Sequence, residues 1–306
     1  MKIRANHIDI EAEISGPRAD ADGRTRPVVL LIMGLGMQLT AWPPAVVQAL
    51  VDAGFCVVRF DNRDAGLSQQ LTPLGVPNLL MASLKHKFGW PLQPPYSVQH
   101  MADDALGVLN ALGIEQAHIV GVSMGGMIAQ RVALSAPGRT LSLTSIMSTS
   151  SARRLPGPAP HVARALLSRP AGRGEQAAID HSVKLFTLIA SPGFARDPAL
   201  LHQQVTTATR RGYHPAGTAR QMVAVVADTA RTAALHRITA PTLVIHGRAD
   251  PLIPFVCGED TARRIPGARL VGIDGMGHDL PPGAIPHVLA ALIPHLSNSS
   301  NPQQPS

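Results

Sequence analysis

The sequence lacks the features of secreted and membrane-spanning proteins. It has only two cysteines, Cys56 and Cys257, which cannot build a disulfide framework, so a reduced, cytoplasmic protein is the simplest interpretation. No apolar run approaches the ~20 residues that span a bilayer. The two early basic residues are not followed by the apolar stretch of a secretory signal. We therefore expect neither a membrane span nor an exported chain.

Aromatic and charged residues are also few, at 3% and 15% of the chain, whereas hydrophobic residues reach 45%. This composition indicates a globular protein rather than a disordered one. Acidic residues are scarce between Ser151 and Ala240, where 12 Arg and Lys face 4 Asp and Glu. Because these basic residues are dispersed and few aromatics accompany them, we expect a solvated basic face and no nucleic-acid partner. A surface that attracts anionic substrates is the alternative.

Short apolar runs alternate with amphipathic segments over the first half of the chain and again after residue 240. Buried strands are predicted at residues 27–33, 56–60, 117–122, 140–147, 242–247 and 269–274. Helices are predicted at residues 42–54, 97–113 and 124–134, within 256–264, and in a last segment that ends near Leu296. The order predicts an α/β protein with a mostly parallel, doubly wound sheet. The period-two pattern at the N-terminus predicts additional antiparallel edge strands.

The alternation stops from residue 149 to residue 239, where Pro and Gly punctuate helical patterns. A helical segment between two strands of one sheet is typical of a lid. The predicted organisation is a core of residues 1–148 and 240–296, a helical lid of residues 149–239, and a low-complexity, disordered tail of residues 297–306.

A glycine-flanked serine stands between a predicted strand and a predicted helix, in "GVSMGG". Ser123 could be a helix N-cap or a nucleophile. Gly121-Val-Ser123-Met-Gly125 fits the G-x-S-x-G nucleophile elbow, and the strand before it and the helix after it are the required context. The glycines keep a tight turn free of side chains, and Gly126 leaves room below the helix.

A serine nucleophile needs a base and an acid that orients the base. Asp250 follows the strand "TLVIHG", and His278 lies in a glycine-rich loop after "RLVGID". Both should emerge at the carboxyl edge of the sheet, on the same rim as Ser123. Asp279 is expected to face solvent or to shape the loop. Ser123, Asp250 and His278 are therefore the candidate catalytic residues.

Acyl transfer also needs an oxyanion hole. The backbone N–H of Met124, directly after the candidate nucleophile, is one donor. The backbone N–H of Leu35, in the glycine-flanked loop after the first core strand, is the other candidate, although the same loop could be a simple strand-to-helix turn. Met37 and Gln38 are candidate lining residues of the substrate pocket.

The connection from residue 71 to residue 97 is long and apolar for a surface loop. Its apolar side chains, which include Phe88 and Trp90, could line an acyl pocket, form an interfacial flap or pack on the lid. Phe88 and Trp90 are further candidate pocket residues.

The pieces "LLIMGLG", "RFDNRDAGLS", "GVSMGG", "HGRADPLIP" and "GMGHDLP" resemble those of α/β-hydrolase-fold serine esterases over nearly the whole chain. More narrowly, "RFDNRDAGLS", "GVSMGGMIAQ" and "IDGMGHDLP" are similar to the aclacinomycin methylesterase-like group. The resemblance implies a Ser123–Asp250–His278 triad and an oxyanion hole at Leu35 and Met124. Many members carry His-Gly where this chain has Met33-Gly34.

The expected activity is hydrolysis of carboxylic esters with apolar parts through an acyl-enzyme on Ser123, without a cofactor or a metal. Cofactor-free haloperoxidase or perhydrolase-type chemistry, or methylesterase or lactonase action on one metabolite, would use the same residues. A non-enzymatic receptor with this fold would have no use for Ser123, Asp250 and His278 together. The expected partner is a small-molecule ester, and the sequence leaves open whether the chain forms a homodimer.

Overall fold

One mixed sheet organises the protein. The structure is a computed structural model that describes residues 1–300. The strands are β1 (Lys2–Ala5), β2 (Ile8–Ser15), β3 (Val28–Ile32), β4 (Cys56–Phe60), β5 (Ala117–Val122), β6 (Thr140–Ile146), β7 (Thr242–Gly247) and β8 (Arg269–Ile273). Their order in the sheet is β1-β2-β4-β3-β5-β6-β7-β8, in which β1–β2 and β2–β4 are antiparallel and all later pairs are parallel. The predicted α/β sheet with antiparallel edge strands is confirmed.

Helices connect the strands and cover both faces. They are α1 (Pro44–Asp52), α2 (Leu79–Lys87), α3 (Val98–Ala111), α4 (Met124–Ser135), α5 (Pro160–Leu166), α6 (Glu175–Leu188), α7 (Pro198–Gly212), α8 (Pro215–Ala227), α9 (Arg231–Ala234), α10 (Phe255–Arg264) and α11 (Ile285–Ser300). In residues 1–300, no helix combines the length and the apolar character needed to cross a membrane.

Each face of the sheet has its own apolar core. Val29 and Leu31 of β3 point into one core, Leu30 and Ile32 into the other, and all four side chains are fully buried. Helices α1 and α11 cover the first core, and α3 and α4 cover the second. Burying one such side chain contributes about 1.5–3 kcal/mol. Because a one-residue slip would exchange the two faces, this burial fixes where the carboxyl end of β3 emerges.

The chain reverses its direction across the sheet next to β3. From β3 it moves outward to β4 and then crosses back to β5, on the opposite side of β3. Such a reversal leaves a crevice beyond the carboxyl ends of the two strands. The loop of residues 33–38 follows β3 and Ser123 follows β5, so both border this crevice.

Residues 149–239, called the helical insert below, connect β6 to β7 through α5–α9. Two ion pairs tie the insert to the loop after β4. Arg211 contacts Asp61 at 2.7 Å, and Arg220 contacts Asp64 at 2.6 Å. The carboxylates of both pairs are fully buried. These contacts join the insert to the core next to the crevice.

The predicted tail was wrong for residues 297–300. Helix α11 continues to Ser300 and passes through Pro294. The Ser300 hydroxyl donates to the carbonyl of Leu296 and lies 2.9 Å from Nε2 of the buried His118. The composition of this polar, low-complexity segment does not reveal these contacts. The rest of the predicted tail, residues 301–306, lies outside the described residues.

The two kinds of ion pair in the insert predict different stability effects. Arg220→Met should lower the free energy of unfolding by about 3–5 kcal/mol, because it leaves the Asp64 carboxylate buried without its cation. The matched control is Arg210→Met, since the Arg210–Glu175 pair is exposed. That change should cost less than about 1 kcal/mol. Urea unfolding of both variants measures the difference, and equal losses would contradict it.

Candidate active site

Ser123 occupies the turn between β5 and α4 in a strained backbone conformation. Its φ is 56° and its ψ is −119°, in a region where a serine side chain is disfavoured by about 1–3 kcal/mol. The Ser123 N–H donates to the carbonyl of Ile146 at 2.9 Å, and the Ser148 hydroxyl donates to the Ser123 carbonyl at 2.7 Å. Contacts from the next strand and the loop after it therefore hold the turn in place.

The glycines of "GVSMGG" are required by close backbone approach. A Cβ at Gly121 would lie 2.0 Å from the carbonyl oxygen of Gly125. At Gly125 it would lie 2.1 Å from the carbonyl oxygen of Ile32, at the end of β3. At Gly126 it would lie 2.6 Å from Cβ of Ser148. The turn can pack against β3 and the loop after β6 only without these side chains.

The structure brings Ser123, Asp250 and His278 together. Nε2 of His278 lies 3.0 Å from the Ser123 Oγ, and Nδ1 lies 2.7 Å from Oδ2 of Asp250. Asp250 follows β7 and His278 follows β8, so each reaches the site from the carboxyl end of its strand. The other Asp250 oxygen accepts the N–H groups of Leu252 and Ile253 at 2.9 and 2.8 Å.

Asp250 is a buried carboxylate that stays ionised. Burial alone would raise its pKa, but the charge of His278 and hydrogen bonds from His246, His278 and the Ile253 N–H outweigh burial and lower the pKa to about 2. An ionised Asp250 makes Nδ1 of His278 the protonated nitrogen. Nε2 is then left as an acceptor toward the Ser123 hydroxyl.

The helical insert holds the loop that carries His278. The His278 N–H donates to the carbonyl of Ile189 at 2.8 Å, and the Gly277 N–H donates to the Ser191 hydroxyl at 2.8 Å. Asp279 accepts the Ser191 N–H at 2.9 Å and also its hydroxyl, so it shapes this loop. The insert therefore helps to position the loop from which the imidazole projects.

The two candidate oxyanion amides border the Ser123 side chain. A Cβ at Gly34 would lie 3.2 Å from Cβ and 3.7 Å from Oγ of Ser123, and Leu35 follows Gly34 as Met124 follows Ser123. Within residues 1–300, neither the Leu35 N–H nor the Met124 N–H donates to a protein acceptor. Both amides are thus free for an oxygen bound beside Ser123.

The sequence profile of the α/β hydrolase fold family matches residues 27–282. The chain belongs to this family. It is 30% identical to the rhodomycin D methylesterase DauP of Streptomyces sp. (strain C5), over 96% of each chain. It is 29% identical to a putative carbamate hydrolase, RutD, of Caulobacter sp. (strain K31), over 93% of this chain and 94% of that one.

Among solved structures, the enol-lactonase of Burkholderia xenovorans LB400 superposes with a TM-score of 0.72 at 23% identity. It covers 97% of this chain and 100% of its own, and at that identity the match supports the fold alone. The sequence prediction of an α/β-hydrolase-fold esterase near the methylesterase-like group is confirmed, as is its assignment as an ester hydrolase.

The helical insert anchors the loop of residues 33–38, called the oxyanion loop below because it carries the candidate donor Leu35. The Gly36 N–H donates to Oε1 of Gln221 in α8 at 2.8 Å, while the Gln221 amide donates to the carbonyl of Arg63 at 2.7 Å. Gln221 is fully buried. Met33-Gly34 at the start of this loop offers no polar side chain, and Gln221 supplies an anchor. Nothing in the sequence marks this glutamine, because it lies mid-helix in a segment without a motif.

Two of the predicted pocket residues lie in this loop. The Gln38 side chain is buried and donates to the carbonyls of Ala208 and Gly212 at 2.7 and 2.9 Å. Gln38 is therefore an anchor to α7, and a further role in the pocket remains a prediction. Met37 is half-buried against the apolar core that α1 and α11 cover.

The other two, Phe88 and Trp90, are exposed, and their rings lie 5.4 Å apart between centroids with planes inclined by 31°. In this structure they do not form the wall of an enclosed pocket. Their role in substrate binding also remains a prediction.

His246, at the end of β7, is a further residue of the site and was not among the predicted ones. Its imidazole is buried, with Nε2 2.8 Å from the carbonyl oxygen of Ile253 and 3.5 Å from Oδ2 of Asp250. His246 supports both the turn and the carboxylate. A histidine four residues before the candidate acid was the available signal.

In residues 1–300, no group of three His, Cys, Asp or Glu side chains has the arrangement of a metal site.

The strained backbone of Ser123 predicts an unusual order of stabilities. Ser123→Gly should be more stable than Ser123→Ala by about 1 kcal/mol, because relief of about 1–3 kcal/mol of strain exceeds the entropic cost of glycine, about 0.5–1 kcal/mol. At Ser135, in the last turn of α4, the order should be reversed, since glycine there relieves no strain. Chemical denaturation of the four variants tests this, and the same order at both sites would disprove the strain.

Proposed function

We propose that this ester hydrolase is a serine carboxylesterase that cleaves carboxylic esters with apolar parts through an acyl-enzyme on Ser123. The observation that carries the proposal is the hydrogen-bonded chain from Ser123 Oγ through His278 to the buried Asp250. The strained turn supports it, because a helix cap needs no such conformation.

The proposed acylation step uses the geometry of this chain. Ser123 Oγ attacks the ester carbonyl carbon while Nε2 of His278 takes the hydroxyl proton, and Asp250 stabilises the resulting imidazolium. The carbonyl oxygen becomes an oxyanion that accepts the N–H groups of Leu35 and Met124. The carbon–oxygen bond to the alcohol then breaks, and His278 returns the proton to the leaving alkoxide.

Deacylation repeats the same steps with water. His278 removes a proton from a water molecule as its oxygen attacks the acyl carbon, and the second oxyanion occupies the same two amides. Collapse breaks the bond to Ser123 Oγ, which regains its proton from His278, and the carboxylic acid leaves. None of these steps draws on a metal or a redox cofactor.

We infer that the helical insert acts as the lid of this site over a core of residues 1–148 and 240–296. The contacts from Ile189 and Ser191 to the His278 loop, and from Gln221 to the oxyanion loop, support this role.

A cytoplasmic location is supported by Cys56 and Cys257, which are both free and buried.

A methylesterase with one metabolite as its substrate is the second candidate. The 30% identity to a rhodomycin D methylesterase over 96% of each chain favours it. The methyl, ethyl and butyl esters of one polycyclic carboxylic acid distinguish the two candidates. A methylesterase loses kcat/KM steeply as the alcohol grows, whereas a general carboxylesterase does not.

Ser123→Ala should lower kcat on p-nitrophenyl esters of rising chain length by at least about 10⁴-fold, because the nucleophile is removed. Ser135→Ala, at the exposed other end of α4, should leave kcat unchanged. Steady-state kinetics of the purified proteins measure both. If the unaltered protein hydrolyses none of the esters, or Ser123→Ala retains its rate, the proposal fails.

Gln221→Ala should lower kcat by about 10–100-fold with little change in KM, since it frees the Gly36 N–H and lets the neighbouring Leu35 amide move. The control is Gln176→Ala in α6, whose exposed side chain donates to the exposed Asp180 at 2.8 Å. Circular dichroism verifies that both variants are folded. A rise in KM with kcat preserved would show that Gln221 serves substrate binding instead of the oxyanion loop.

A further inference from the structure

Helix α2 presents its apolar side to solvent. Leu80, Leu84 and Phe88 recur every four residues and are 67%, 40% and 60% exposed. The buried side of the helix is formed by the small Ala82. We call the α2 face the exposed set Val76, Leu80, Met81, Leu84, Phe88 and Trp90. Exposed apolar residues scattered singly are ordinary on a protein surface, but a contiguous set marks an interaction site.

The α2 face belongs to an ordered helix. The Asn78 side chain caps α2 by accepting the Met81 N–H at 3.0 Å, and Gly89, with φ of 70°, follows its end. The helix packs against α8 of the insert. Its outward apolar side is thus a built feature of the fold.

Basic residues lie on and beside the α2 face. The sequence has no Asp or Glu from residue 65 to residue 102, nor from residue 116 to residue 174. His86 is exposed on α2, and Lys85 is half-buried. An Arg153 guanidinium nitrogen lies 3.7 Å from where a Cβ at Gly89 would stand, and Arg153 is exposed. The insert therefore places an arginine beside the apolar side chains.

We propose that the α2 face docks on an anionic phospholipid bilayer. The apolar side chains enter the headgroup–acyl boundary, and the Phe88–Trp90 pair lies at the depth where aromatic side chains are favoured. Arg153 binds lipid phosphates. A second copy of the chain fits this face less well, because its basic residues would meet the same charges. Peripheral docking requires no membrane-spanning helix.

Trp90 gives a direct test, because the other tryptophan, Trp42, is buried. The emission of Trp90 should shift to shorter wavelength with vesicles of phosphatidylcholine and phosphatidylglycerol, and brominated lipids should quench it. Vesicles of phosphatidylcholine alone should bind about tenfold more weakly, and added salt should weaken binding to the anionic vesicles.

Leu80→Gln with Leu84→Gln should reduce partitioning to the anionic vesicles by about tenfold or more. Leu200→Gln is the matched control, since Leu200 is 41% exposed on α7. Arg153→Glu should also weaken binding, more than Arg24→Glu, which makes the same charge change at an exposed site in the loop before β3. Thermal unfolding checks that each variant is folded.

Three outcomes would overturn the proposal. The first is that the emission of Trp90 does not shift with anionic vesicles. The second is that the double variant and the Leu200→Gln control bind equally, and the third is that neutral and anionic vesicles bind equally. Light scattering tests whether a second copy of the chain occupies the α2 face instead. If the unaltered protein is a dimer that does not bind vesicles, and the double variant is a monomer, the α2 face is a dimer interface. These results do not depend on ester hydrolysis, so failure here leaves the proposed carboxylesterase activity untouched.

Discussion

The left-handed backbone of Ser123 is the constraint on which the site depends. A serine adopts φ of 56° only when its surroundings enforce it. Here β3 approaches so closely that Gly125 has no room for a Cβ, and the Ser148 hydroxyl donates to the Ser123 carbonyl. The sheet order brings these elements together, because β3 and β6 flank β5. The stability of the core therefore offsets the strain that lifts the hydroxyl toward His278.

The helical insert is part of the site as much as a cover over it. It supplies the carbonyl that holds the His278 N–H and the glutamine that holds the Gly36 N–H. Buried ion pairs at Asp61 and Asp64 fix the insert beside the same crevice. Removing one partner of such a pair leaves a buried charge uncompensated, at a cost of about 3–5 kcal/mol. These pairs thus favour one docked position of the insert over partly detached ones.

The parts of the fold that sequence analysis predicted are those with local signals. Strand ends, helix periodicity and the glycines around Ser123 lie within a few residues of one another, and they indicated the sheet, the elbow, Asp250 and His278. Gln221 could not be found this way, since its partner Gly36 is 185 residues distant in sequence. The helical state of residues 297–300 depends in part on a contact with His118, and the outward orientation of Leu84 depends on which side of α2 meets α8. Tertiary contacts therefore decide the role of Gln221, the helical state of residues 297–300 and the orientation of Leu84.

The proposed oxyanion hole depends on the loop of residues 33–38, although Met33-Gly34 offers this loop no polar side chain. The donors in such a hole are backbone amides, so any group that fixes the loop serves the same purpose. With Met33-Gly34 at the strand end, the polar anchor comes from Gln221 in α8, and Gln38 ties the loop to α7. A side-chain anchor at the strand end would keep the loop independent of the insert. Here, Gln221 of α8 holds the Gly36 N–H next to Leu35, so the segment proposed as the lid is coupled to an amide proposed to stabilise the oxyanion.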